Sequence, residues 1–167
     1  MSRLNHYSFS SVWLVEAPAA DVFEVLRDLG DYSVWWPEVK EAHRVDDDTI
    51  VVRCRALLPY DLRFTMRRSR EDPTAGVLEV AMSGDLEGFS RWTISSYGDG
   101  ASRLLFEEEV TTNKKLLNRL APVARPAFTL NHALMMRHGH QGLRVYLAGF
   151  RRARSARYDA EAGASDS

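Results

Sequence analysis

This 167-residue sequence predicts an α+β fold in which about seven antiparallel strands curl around a long C-terminal helix, with two short helices after strand 1. Three observations carry that expectation. Alternating apolar runs follow one another between turn-rich segments, too closely spaced for helical crossovers. One long stretch near the end keeps its apolar residues on a single helical face. Ahead of both, a strand feeds straight into a helix and then into a Trp35-Trp36-Pro37-Glu38 corner.

On the first strand Tyr7, Phe9, Ser11, Trp13 and Val15 share one face, because side chains alternate across a pleated chain, and this aromatic set is expected inward. Pro18 then sits in the first turn of a helix, where its missing N–H costs nothing. Six further strands are expected at Val39 to Val45, Ile50 to Leu58, Leu62 to Arg68, Val77 to Met82, Phe89 to Ser95 and Leu104 to Val110. Asp46-Asp47-Asp48 and the segments 71–76, 84–88 and 98–100 have turn compositions between them.

Strand parity assigns the inner face. The inward sets are Ile50, Val52, Cys54, Ala56 and Leu58; Leu62, Phe64, Met66 and Arg68; Leu78, Val80 and Met82; Ser90, Trp92 and Ile94; and Leu104, Phe106, Glu108 and Val110. Arg68, Ser90 and Glu108 are polar residues on otherwise apolar faces, where an unpaired charge would cost several kcal/mol or shift its pKa. Arg68 and Glu108 have a plain reading, as solvated or ion-paired residues near strand ends. They also have a functional one, in which Arg68 offers a fixed donor fork for a carbonyl or a developing enolate. Ser90 reads more simply as a serine bonded to backbone.

After a short helical piece at Lys114 to Ala121, interrupted by Pro122 and Pro126, the long helix is expected from about Pro126 to Phe150. Its apolar face carries Phe128, His132, Met135, Met136, Gly139, Leu143, Tyr146, Leu147 and Phe150, with Arg137, His140, Arg144 and Arg151 opposite. Gly139 lies at the centre of that face. Either it opens space for a ligand over the sheet, or it merely permits close helix–sheet contact, as Gly142 beside it also could. Residues 1–150 are thus expected as one ligand-binding domain, and 151–167, rich in Ala, Arg, Ser and Asp, as a disordered tail.

Composition excludes several classes. A net charge of −1 gives no general attraction to nucleic acid. No run approaches the length of an integral membrane segment, and no secretory signal pattern opens the chain, so a cytoplasmic location is expected. Cys54 is the single cysteine, and His138 and His140 point to different helix faces, so neither a metal site nor a cofactor is expected.

The strand, Ala17-Pro18, Val22-Phe23, Trp36-Pro37-Glu38, the Gly88-Phe89-Ser90-Arg91-Trp92-Thr93-Ile94 strand and the closing Gly142-Leu143-Arg144-Val145-Tyr146-Leu147 helix together resemble a polyketide cyclase/dehydrase-type domain of the START-like superfamily, from Val12 to about Leu147. That resemblance implies a helix-grip fold around an apolar cavity. It also matches Arg68 to an arginine common late on the corresponding strand of aromatase/cyclase members.

The expected function is binding of a small hydrophobic ligand, a lipid, quinone or polyketide-like molecule, between sheet and helix, by a monomer or homodimer. Expected contacts are Trp13, Trp36, Cys54, Phe64, Met66, Met82, Ser90, Trp92, Phe106, Asn131, Met135 and Gly139. The first alternative is an aromatase/cyclase or dehydratase with Arg68, His132 and Glu108 as its catalytic residues. The second is a protein-interaction module of the Hsp90-activator or toxin type.

Overall fold

The computed structural model describes residues 5–113 and 121–165. β1 (His6–Val15) leads into α1 (Ala19–Arg27), a 3-10 turn at Leu29–Asp31 and the single-turn α2 (Tyr32–Trp35). Six strands follow: β2 (Val39–Arg44), β3 (Thr49–Cys54), β4 (Leu62–Asp72), β5 (Val77–Gly84), β6 (Leu86–Ser96) and β7 (Ser102–Thr112). They form one antiparallel sheet in the order β1-β7-β6-β5-β4-β3-β2, so every neighbour pair except β1–β7 is a sequential hairpin. The sheet grips α3 (Ala121–Ser165), the helix-grip arrangement expected from the sequence.

The alternation of apolar residues is reproduced side chain by side chain. Tyr7, Trp13 and Val15, then Ile50, Val52 and Cys54, Leu62, Phe64 and Met66, Leu78, Val80 and Met82, Trp92 and Ile94, and Leu104, Phe106 and Val110 are all buried. Strand ends depart from expectation. β3 stops at Cys54, so Ala56 and Leu58 lie in the connection to β4. β4 runs on past Arg68 across a bulge before Arg70. β6 begins inside the glycine-rich segment expected to be a turn, because Leu86, Glu87 and Gly88 find ladder partners in Thr112, Thr111 and Val110 of β7.

α3 corrects two expectations. It starts at Ala121 and carries Pro126 inside it, while all but the last residue of the short helical piece expected over 114–121 lies outside the described residues. It also continues to Ser165, where a disordered tail was expected from Arg151. Composition argues only that this segment cannot build a core. A helix already nucleated and anchored has merely to propagate, and Ala, Arg and Glu are good helix formers. Arg154 Nη1 reaches Asp21 Oδ1 on α1 at 2.6 Å and the Arg154 guanidinium lies over the Tyr158 ring, so the added turns are tethered although exposed.

Two glycines bring α3 against the Trp-Pro corner. A Cβ on Gly139 would stand 2.6 Å from Cε2 of Trp36, and one on Gly142 would collide with the backbone carbonyl of Trp35. The Trp36 indole lies flat in the Gly139 gap and donates from Nε1 to the Met135 carbonyl at 2.9 Å. Gly139 therefore serves close contact, not cavity space. His140, expected on the outward face, instead stacks on Trp13 and meets the Leu14 carbonyl at 2.9 Å. Arg125 of α3 likewise donates to the carbonyl of His6 on the same outer strand, and Arg151 to the carbonyl of Glu16 just past its end.

Candidate apolar cavity

Between the sheet and α3 lies a cavity of about 90 Å³. Its walls are Val39 of β2, Val52 and Cys54 of β3, Leu62, Phe64 and Met66 of β4, Leu78, Val80 and Met82 of β5, Leu86, Ser90 and Trp92 of β6, and Phe106 and Glu108 of β7. Phe128, Asn131, His132, Met135 and Met136 of α3 close it, and Leu26, Leu29, Tyr32 and Trp36 fill the side beneath the α1–α2 connection. All four methionines after Met1 are in this lining. Unbranched and polarisable, they let the walls reshape around a guest larger than the closed volume.

Of the twelve expected ligand contacts, ten line the cavity and two do not. Gly139 is filled by Trp36, as described above. Trp13 stands behind the wall in an aromatic cluster, its ring 4.8 Å from Trp92 and 5.9 Å from Trp36. Leu26 at the end of α1, Leu29 in the 3-10 turn and Tyr32 at the start of α2 were not anticipated, because strand parity says nothing about short helical elements joined by sharp turns.

Polar groups in the lining divide into those already engaged and those with capacity to spare. Asn131 is engaged: its Oδ1 accepts from the amides of Leu57 at 2.8 Å and Leu58 at 3.3 Å, pinning the β3–β4 connection to the helix. Tyr32 is also engaged, donating to the Leu26 carbonyl at 2.9 Å. Arg68 sits at the charged rim with Arg27, Arg70 and Glu79. It pairs with Glu71 and, at 3.2 Å, with Asp48, and donates to the Arg27 carbonyl, so the plain ion-pair reading of this residue describes its geometry. Arg27 contacts Glu71 at 3.1 Å, Arg70 contacts Asp72 at 2.9 Å and Glu79 contacts Arg91 at 2.6 Å.

Glu108, Ser90 and His132 remain. Ser90 and Glu108 are directly opposed on β6 and β7, and His132 Nε2 approaches Glu108 Oε1 to 3.7 Å from the helix. The His132 ring stacks on Phe9 with centroids 3.7 Å apart, which fixes its plane. Burial in this apolar setting raises Glu108 to about 8 and lowers His132 to about 4, so both are neutral at neutral pH: a carboxylic acid beside an uncharged imidazole. Cys54, in the same wall, is pushed up to about 12, first by burial and then by the Glu108 charge, which makes it an inert thiol. Among the described residues no group of side chains has a metal-binding arrangement. No helix among the described residues is long and apolar enough to cross a membrane.

A second constellation lies outside the cavity. Glu38, the acid of the Trp-Pro-Glu corner, is buried with its Oε1 2.5 Å from His138 Nδ1 on α3. It ties the corner to the helix alongside the Trp36–Met135 bond.

A family model described as polyketide cyclase/dehydrase and lipid transport matches residues 15–134. No curated protein matches by sequence. Among solved structures, an aromatase/cyclase from a Streptomyces strain superposes with a TM-score of 0.75 at 16% identity, covering 90% of this chain and 98% of its own. A START superfamily protein from Mycobacterium smegmatis gives 0.67 at 15% identity, covering 86% and 98%. Norcoclaurine synthase from Thalictrum gives 0.61 at 10% identity, covering 87% and 96%. At these identities the likeness is one of fold.

Proposed function

Because the chain belongs to the polyketide cyclase/dehydrase and lipid transport family, we propose that it binds a small apolar molecule in the cavity between sheet and α3. The observation that carries this reading is the lining. Aliphatic, aromatic and methionine side chains from six strands and the helix surround the space, and among the described residues spare hydrogen-bonding capacity lies with Ser90, Glu108, His132 and the Nε of Arg68 at the rim. A cytoplasmic site of action belongs to the same proposal and rests on the lone, unpaired Cys54.

Native mass spectrometry of protein purified without lipid extraction tests it, together with a calorimetric titration of stripped protein by tetralin. Bound mass or saturable binding is expected, and Val80→Phe, which places a ring in the cavity, should abolish it in protein that still melts cooperatively. Absence of both signals in wild type overturns the proposal.

A second reading, catalysis of dehydration or cyclisation, is favoured by the Glu108–His132 pair. Neutral His132 can take a proton from the carbon beside a ketone, while protonated Glu108 gives its proton to a departing β-hydroxyl, releasing water and leaving a conjugated carbonyl. Arg68 would have to leave Glu71 and Asp48 to polarise that carbonyl, so this reading places the chemistry on Glu108 and His132. Release of water from a β-hydroxy ketone, lost in both Glu108→Gln and His132→Leu, is its expected signature; turnover unaffected by either change removes it.

A further inference from the structure

The charged groups around the cavity are distributed in a way that restricts the charge of its guest. Arg27, Arg68 and Arg70 line the space, yet each guanidinium already contacts a carboxylate: Glu71 for Arg27, Glu71 and Asp48 for Arg68, Asp72 for Arg70. An anionic ligand would find no cation without breaking one of these pairs. Deeper in the cavity the polar surface is a carboxyl, a hydroxyl and an imidazole. Glu108 faces Ser90 across β6, Phe9 across β1 and His132 across α3, and the ion-pair contact it makes among the described residues is with His132.

We propose, resting on the cavity-binding reading above, that the cavity selects an uncharged apolar molecule bearing a carbonyl oxygen, which accepts a hydrogen bond from the Glu108 carboxyl beside Ser90 and His132. A ligand carboxylate there would be buried with a desolvation penalty and no free cation to offset it. A ligand ammonium would force Glu108 to ionise in an apolar wall, where the pair's attraction does little more than offset the cost of burying it. A ketone or quinone oxygen can take up the Glu108 proton, which His132 at 3.7 Å is too distant to accept.

The test is calorimetric titration of stripped wild type, Glu108→Leu and Glu108→Gln at neutral pH with four probes on one skeleton: tetralin, α-tetralone, tetralin carboxylate and aminotetralin. In wild type, α-tetralone should bind about tenfold tighter than tetralin, the worth of one well-made hydrogen bond, and both charged probes should bind more weakly than tetralin. The ketone-to-hydrocarbon ratio should collapse to about one in Glu108→Leu and persist in Glu108→Gln, whose amide still donates. Tightest binding of the carboxylate or the amine, or an unchanged ratio in Glu108→Leu, overturns the inference while leaving cavity binding intact. Failure of all four probes to bind overturns both.

Discussion

Replacing Glu108 by glutamine should make the protein more resistant to alkaline pH, by an amount the structure sets. The carboxyl has an ordinary value of 4.5 in the unfolded chain and about 8 when buried opposite Ser90. Because the folded value is the raised one, the folded state holds its proton more tightly. Stability present below the unfolded value is therefore lost as pH rises, until the folded carboxyl also ionises. Each pH unit inside that window costs about 1.4 kcal/mol. His132 works with the opposite sign: it is held at about 4 against an ordinary 6.5, so it costs stability as pH falls below that ordinary value and contributes little above it. Between about pH 6.5 and about pH 8.5 wild type should therefore lose about 2 kcal/mol more than Glu108→Gln. Urea unfolding of both proteins at the two pH values measures that difference, and in melting experiments it corresponds to roughly 4–8 °C for a domain of this size. Parallel pH dependence in the two proteins would refute the burial argument, and with it the neutral carboxyl.

Three other outcomes follow from the geometry. Gly139→Leu should destabilise by about 1–3 kcal/mol, since Trp36 cannot retreat without losing its bond to Met135; an unchanged or raised urea midpoint would mean the indole has room to move. Asn131→Leu leaves the Leu57 and Leu58 amides without their acceptor, so hydrogen exchange in the β3–β4 connection should accelerate at least tenfold, and unchanged protection there would show that Asn131 does not hold it. Truncation after Phe150 removes exposed turns, ion pairs to Asp21 and the Arg151 bond to the Glu16 carbonyl, each worth about 1 kcal/mol or less, so the melting temperature should move by no more than a few degrees; a larger drop would assign those turns a docking role.

The fold and most of the cavity could be read from the residues because both depend on short periods. A two-residue alternation assigns Phe64, Met66, Met82, Trp92 and Phe106 to one side of a sheet without knowledge of any partner strand. What required the structure was long-range. Gly139 reads identically whether its gap holds a ligand or the indole of Trp36, more than a hundred positions earlier in the chain. Trp13 has the right parity, yet Trp36 and His140 turn it into the back of the wall. Arg68 could be read either as ion-paired or as a free donor, because its partner Asp48 stands twenty residues away across a hairpin. The helical tail was lost for another reason: burial arguments address packing, whereas extension of an anchored helix is a local matter of propensity.

The bonds from Arg125 and His140 to the β1 backbone, and from Arg151 to Glu16 beyond it, bear on how this molecule behaves in a crowd. The sheet is open, with β1 at one margin and β2 at the other, and an unpaired strand margin is a template on which a foreign strand can register. Arg125 and His140 of α3 occupy the His6 and Leu14 carbonyls that such an intruder would need, and Arg151 holds the Glu16 carbonyl just past the strand. At the opposite margin β2 is six residues long, carries a bulge, and exposes Lys40, Glu41 and Arg44, which makes it a poor template by a different route. Strand-to-strand growth is thus opposed at both margins of the sheet.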